Sequence, residues 1–284
     1  VLVNPGDEVI VPVPSFVCYG PLTEMAGGVP KYVELKVENN FRLTPEELKA
    51  AITDKTKVLV LPFPCNPTGG IMERKDLEAI AEVLRGSDIM VISDEIYAEL
   101  TYGQRHVSPA NLTDMYERTV VVNGFSKSYA MTGWRLGYAI APQPIMDRIK
   151  QYHDFNTVGA ASPLMEAAVV GLEMPDEYYR EFGDHYAHMK QIFTGGMKDL
   201  DIPFTDPEGT YFVLADIAPY MKKGQSDVEF CVEMAQKVGV ACVPGSSFFD
   251  EDVNHIVRLH FAKKDETLLA ALDRLSNLRR IMCG

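Results

Sequence analysis

The chain has 284 residues, 46% of them hydrophobic and 24% charged, which is the balance of a globular protein with room for two domains of ordinary size. Lys+Arg 27 against Asp+Glu 40 leaves a net charge of −13, and no basic stripe offsets it, so a nucleic-acid-binding surface is not expected. No apolar run approaches the ~20 residues of a membrane span, and no signal peptide is visible, so neither a membrane partner nor export is expected.

The chain opens in mid-pattern. Val1-Leu2-Val3 runs straight into the turn Asn4-Pro5-Gly6-Asp7, and further residues are expected upstream. Glu8–Val13 reads as a strand ending at a proline. Thr44 is a helix N-cap followed by Pro45 at N1 and the acids Glu46 and Glu47, with the helix running to Ile52. Lys57–Pro62 is the next strand. Glu73–Leu84 places Leu77, Ile80, Ala81 and Leu84 on one helical face. Ile89–Asp94 and Thr119–Asn123 are two more strands.

Near-continuous apolar strands separated by helices predict an α/β sheet covered on both faces. Ligands of such sheets bind beyond the carboxyl ends of the strands. The notable residues fall there: Pro64–Gly70, Asp94–Tyr97 and Ser126-Lys127. After Pro175 the pattern changes. A long aromatic and acidic helix spans Asp176–Leu200. Strand-like runs at Tyr211–Ala215, Val238–Val243 and His255–Phe261 then alternate with helices at Ser226–Lys237 and Asp265–Arg280. The division expected is 1–175 for a large domain and 176–284 for an interdomain helix with a smaller α+β domain.

The five cysteines, Cys18, Cys65, Cys231, Cys242 and Cys283, contain no CxxC pair. That argues for a reducing, cytoplasmic setting and against a disulfide framework or zinc site. His185 and His188 share a helix face but lack a third ligand, so no metal is expected. There is no GxxxxGK[ST] or GxGxxG, and Gly124-Phe125-Ser126-Lys127-Ser128 lacks the second glycine of a hydrolase nucleophile elbow.

The most informative run is Asn123–Tyr138. It carries Lys127 just after a β-branched strand and Arg135 eight residues on. A lysine at the mouth of a buried strand is partly desolvated, which lowers its pKa and makes it a usable nucleophile. The alternative is a loop lysine reaching solvent. Asp94 could be a helix N-cap ahead of Glu95-Ile96-Tyr97-Ala98, Phe16 and Tyr97 could be core aromatics, and Asn66-Pro67-Thr68-Gly69 is also a turn sequence. Arg258, alone in an apolar strand, needs an anion, either a ligand or a structural carboxylate.

Taken in order, Asn66-Pro67-Thr68-Gly69-Gly70, Ser93-Asp94-Glu95-Ile96-Tyr97, Ser126-Lys127, Gly133-Trp134-Arg135-Leu136-Gly137-Tyr138 and Val257-Arg258-Leu259 resemble the class I/II aminotransferases, pyridoxal 5'-phosphate (PLP) enzymes of fold type I. The resemblance covers nearly the whole chain. It implies a large PLP-binding domain with a mainly parallel seven-stranded sheet between helices, incomplete at its N-terminus, and a smaller α+β C-terminal domain. It implies transfer of an amino group between an L-amino acid and a 2-oxo acid by ping-pong half-reactions, in a homodimer. Lys127 matches the lysine that holds PLP as an imine and moves the substrate proton. Asp94 matches the partner of the pyridine nitrogen. Asn66 and Tyr97 match the groups on the phenolic oxygen, Asn66 also bordering the substrate. Arg135 matches the phosphate arginine, with Ser126 as a phosphate hydroxyl and Ser128 and Thr132 as weaker candidates. Phe16 matches the ring-stacking aromatic and Arg258 the arginine for the substrate α-carboxylate. The family's glycine-rich phosphate turn is expected upstream of Val1. Two alternatives share the motifs: a PLP-dependent cysteine-conjugate β-lyase, and a non-catalytic effector domain of a transcription regulator.

Overall fold

The computed structural model describes residues 1–283. Its larger sheet has six strands, β1 (Glu8–Val13), β2 (Val29–Glu34), β3 (Thr56–Leu61), β4 (Met90–Asp94), β5 (Thr119–Gly124) and β6 (Gly137–Ile140), in the order β2-β1-β3-β4-β5-β6. All neighbours are parallel except β5 and β6. Six strands of the mainly parallel sheet are present, and a seventh is not among the described residues. The outer edge of β6 has no pairing strand among the described residues.

Both faces of the central strands are buried, which is why they read as continuous apolar runs. On one face Ile10, Leu59 and Leu61 pack with Leu48 of α2 (Pro45–Ala51) and with Leu77, Ile80 and Leu84 of α3 (Arg74–Leu84). On the other, Val9, Val11, Val13, Val58 and Val60 form a second layer, joined by Tyr19, which opens α1 (Tyr19–Met25). The Thr44 cap of α2 is a reciprocal box, with the Glu47 N–H donating to Thr44 Oγ1 and the Thr44 N–H to Glu47 Oε2. The lysine run becomes α4 (Phe125–Ser128). The chain continues through α5 (Gln143–Thr157) and α6 (Ser162–Leu172) to the long α7 (Asp176–Asp199).

The second sheet is antiparallel, in the order β7-β8-β10-β9, with β7 (Phe204–Thr205), β8 (Phe212–Asp216), β9 (Val243–Pro244) and β10 (Ile256–His260). Its core joins Met189, Phe193 and Met197 of α7 to Phe230 and Met234 of α8 (Asp227–Lys237) and to Val257 and Leu259 of β10. The strand expected over Val238–Val243 shrinks to Val243–Pro244, because Gly239 at φ +76° turns the chain first. The single helix expected over Asp265–Arg280 is two, α9 (Asp265–Leu275) and α10 (Leu278–Cys283). Among the described residues no helix is long and apolar enough to cross a membrane, and no His, Cys, Asp and Glu cluster could hold a metal. His188 pairs with Asp265, Nε2 to Oδ2 at 2.9 Å.

Candidate active site

The carboxyl ends of four parallel strands frame one cavity of about 420 Å³. The turn after β1 brings Phe16, and α1 brings Tyr19. The segment after β3 brings Asn66, β4 ends on Asp94 ahead of Tyr97, and β5 leads into Ser126 and Lys127 of α4. Arg135 closes one side. Arg258 reaches in from the other sheet. All eight residues singled out from the sequence line this one space. Thr132 also lines it. Ser128 does not: it is buried, and its carbonyl accepts from Tyr178 Oη at 2.6 Å.

Lys127 is half-buried, its Nζ lying 5.8 Å from the centre of the Tyr97 ring, and it forms no ion pair among the described residues. The turn that carries it is held from two sides. Gly124 sits so close to β6 that a Cβ there would lie 2.9 Å from the Leu136 carbonyl oxygen and 3.1 Å from Gly137 Cα. Opposite, Tyr129 stacks on Tyr178 of α7, and its hydroxyl meets that of Tyr179 at 2.5 Å.

Asp94 caps no helix. Its Oδ2 accepts the Tyr19 hydroxyl at 2.7 Å and its Oδ1 the Ile96 N–H at 3.2 Å. Burial lifts the Asp94 pKa above the ordinary carboxylate value, and these two donors oppose the lift. The neighbouring Glu95 is buried as well, yet His106 and the hydroxyls of Ser108 and Ser93 outweigh that burial and hold its pKa below the usual value. Tyr97 is 5% exposed, edge-on to Tyr211 and Phe212, and burial followed by Tyr211 pushes its pKa well up. Phe16 is 46% exposed, so it is no core residue and offers its ring to the cavity.

Alternation along β10 sends Val257 and Leu259 into the core and Arg258 to the opposite face. The Arg258 guanidinium lies between the Phe212 ring at 4.2 Å and the Phe248 ring at 4.9 Å, and its Nη1 donates to Asn66 Oδ1 at 2.6 Å. Among the described residues no carboxylate pairs with it, which removes the structural ion pair from the two readings of this arginine. Arg135 occupies the left-handed region at φ 57° and donates to the Thr132 carbonyl at 3.0 Å. Thr132 Oγ1 in turn donates to the Ser126 carbonyl at 2.8 Å. Sequence reasoning passed over Tyr19 and Phe212. Tyr19 carries a faint signal, an aromatic three residues beyond Phe16 at a strand end; Phe212 carries none beyond its strand.

The sequence matches the family described as aminotransferase class I and II over residues 1–275. The chain belongs to that family. The aspartate aminotransferase of Pyrococcus abyssi (strain GE5 / Orsay) is 37% identical over 278 residues, covering 97% of this chain and 70% of that protein. The methionine aminotransferase of Escherichia coli (strain K12) is 36% identical over 279 residues, 98% of this chain and 72% of that protein. Among solved structures, the aromatic aminotransferase from Pyrococcus horikoshii OT3 superposes with a TM-score of 0.91 at 36% identity, covering 98% of this chain and 74% of that one. This class I and II aminotransferase is thus an enzyme of the transaminase type, on the α/β fold its motifs imply.

Proposed function

We propose that this aminotransferase binds pyridoxal 5'-phosphate in the Lys127 cavity and moves an amino group between an L-amino acid and a 2-oxo acid in two ping-pong half-reactions. The observation that carries the reading is a cavity in which the Lys127 amine and the Arg258 guanidinium, neither with a carboxylate partner among the described residues, lie with the Asp94 carboxylate. The donor set fits the cofactor. Ser126 and Arg135 supply a hydroxyl and a planar fork for a phosphate, Asp94 a buried carboxylate for a ring nitrogen, and Phe16 an exposed aromatic face. Bound PLP supplies an electron sink for charge at the substrate α-carbon.

The side chains of the chain do the rest. Lys127 would hold the cofactor through its amine nitrogen, and the same amine is placed to carry a proton to and from the substrate α-carbon. Asp94 holds a proton on the ring nitrogen, while Tyr19 fixes one of its oxygens. Asn66 and Tyr97 hydrogen-bond the phenolic oxygen. Asn66 spends its Oδ1 on Arg258, leaving its amide nitrogen to donate. Arg258, braced by cation–π contact with Phe212 and Phe248, takes the substrate α-carboxylate.

The working form is a homodimer, the large domain being residues 1–175 and the remainder 176–284. The exposed apolar side chains Tyr152 and Phe155 of α5 and Val170 of α6 are surface that a second copy would cover. The test is a donor and acceptor screen of the complete protein with PLP, beside Lys127→Ala. The variant loses the imine absorbance band and turnover by at least about 10³-fold, in line with removal of a covalent catalyst. Transamination at the wild-type rate by Lys127→Ala would overturn the assignment.

A further inference from the structure

Away from the cavity, the second sheet carries two cysteines that touch. Cys231 lies on α8 and Cys242 immediately before β9, and their sulfurs are 3.2 Å apart. Both thiols are free. We propose that Cys231 and Cys242 form an oxidisable dithiol, which a hydroperoxide converts to an intramolecular disulfide.

The geometry needs little movement. A disulfide is about 2.04 Å long, so the sulfurs close by about 1.2 Å, within the reach of small side-chain and backbone shifts. Cys231 is 7% exposed, and Cys242 is half-buried and nearer to solvent. The neighbourhood is held at a second point. The Asp227 carboxylate at the start of α8 accepts the Ser246 N–H at 2.8 Å and its hydroxyl at 3.1 Å, so helix and loop are already registered. The pair differs from the other cysteines, none of which has a sulfur neighbour among the described residues. The thiols near the cavity are poor nucleophiles. Burial, helped by Asp94, pushes the Cys18 pKa up to about 11, and burial does the same to Cys65. In the pair, the S–H of Cys242 donates to Cys231 and favours a thiolate there against the effect of burial.

The chemistry balances. With hydrogen peroxide, one thiolate attacks a peroxide oxygen, the O–O bond breaks, and the leaving hydroxide takes up the proton the thiol gave up, so that sulfenic acid and the first water form. The second thiol attacks that sulfur, the S–O bond breaks, and a second water leaves. Two thiols are oxidised and one hydroperoxide is reduced. The disulfide would sit one residue from Val243, the residue paired with Arg258 in the sheet.

The test uses the fully reduced protein and hydrogen peroxide. Thiols titrated in denaturant fall from five to three, and a digest yields a Cys231–Cys242 linked peptide lighter by two hydrogens than its parts. Cys231→Ser and Cys242→Ser, one thiol fewer each, form no such link. Retention of all five thiols, a bridge to Cys18, Cys65 or Cys283, or sulfinic acid at Cys242 without a bridge would overturn the proposal. The wild-type measurement decides it even if a serine variant folds poorly.

Discussion

Tyr19→Phe isolates one hydrogen bond in the cavity and carries a pH signature. The hydroxyl donates to Asp94 Oδ2 at 2.7 Å, and Phe keeps the ring while deleting the donor. A hydrogen bond to a charged group contributes about 1.5–3 kcal/mol and a neutral one about 0.5–1.5 kcal/mol. The deletion therefore costs more when Asp94 is ionised, by about 1–1.5 kcal/mol, and raises its pKa by about one unit. Burial already holds the Asp94 pKa above 3.8 in the fold. A group raised in this way contributes its stability fully below the unfolded pKa and loses it as pH rises through the folded pKa. The variant shifts that loss to higher pH. Urea unfolding of cofactor-free wild type and Tyr19→Phe gives a difference of about 0.5–1.5 kcal/mol where Asp94 is protonated in the fold, growing to about 1.5–3 kcal/mol as pH rises through its folded pKa. A difference that stays flat across this range, or one below about 0.5 kcal/mol at pH 7, would refute the link between Tyr19 and the charge on Asp94.

Two further variants probe how the cavity is braced, and a third is the control for one of them. Glu95→Gln removes the charge held by His106, Ser93 and Ser108; it costs about 1–3 kcal/mol in urea unfolding at pH 7. Because the Glu95 pKa is depressed in the fold, that contribution is present above 4.5 and fades as pH falls through the folded value, so wild type and variant converge in acid. Gly69→Ala forces a side chain at φ +70° and puts its Cβ 2.3 Å from Pro207 Cβ and 2.9 Å from the Gly209 carbonyl oxygen, costing about 1–3 kcal/mol by thermal unfolding. Gly86→Ala has a similar φ of +77° and nothing within 4 Å; it costs about 1 kcal/mol from backbone strain alone. Equal losses at the two glycines would show that the contact with Pro207 is unimportant.

The parallel core was legible because both faces of β1, β3, β4 and β5 are covered, which leaves apolar runs in the sequence. The strands that escaped notice lie at the edges. Val29–Glu34 carries proline, lysine and glutamate and is mostly exposed, and Gly137–Ile140 is short with Tyr138 and Ile140 outward. The expected seventh strand came from family likeness alone, and no run in the described residues supplies it. Site residues were legible where strand ends and family order coincide. Their surroundings were not. Nothing local says that Phe16 is exposed, that Tyr19 turns onto Asp94 across 75 positions, or that Arg258 finds an amide in place of a carboxylate. Each depends on which elements the fold brings together.

The bond between Arg258 and Asn66 ties the two sheets together at the cavity. Asn66 follows a strand of the parallel sheet and Arg258 lies in the antiparallel one, 192 positions along the chain. The bond occupies one of the five N–H groups of the guanidinium, so the rest of the planar fork stays available to a carboxylate. A hydrogen bond to a charged group contributes about 1.5–3 kcal/mol. The contact that aims the fork is therefore also a clasp between the two sheets.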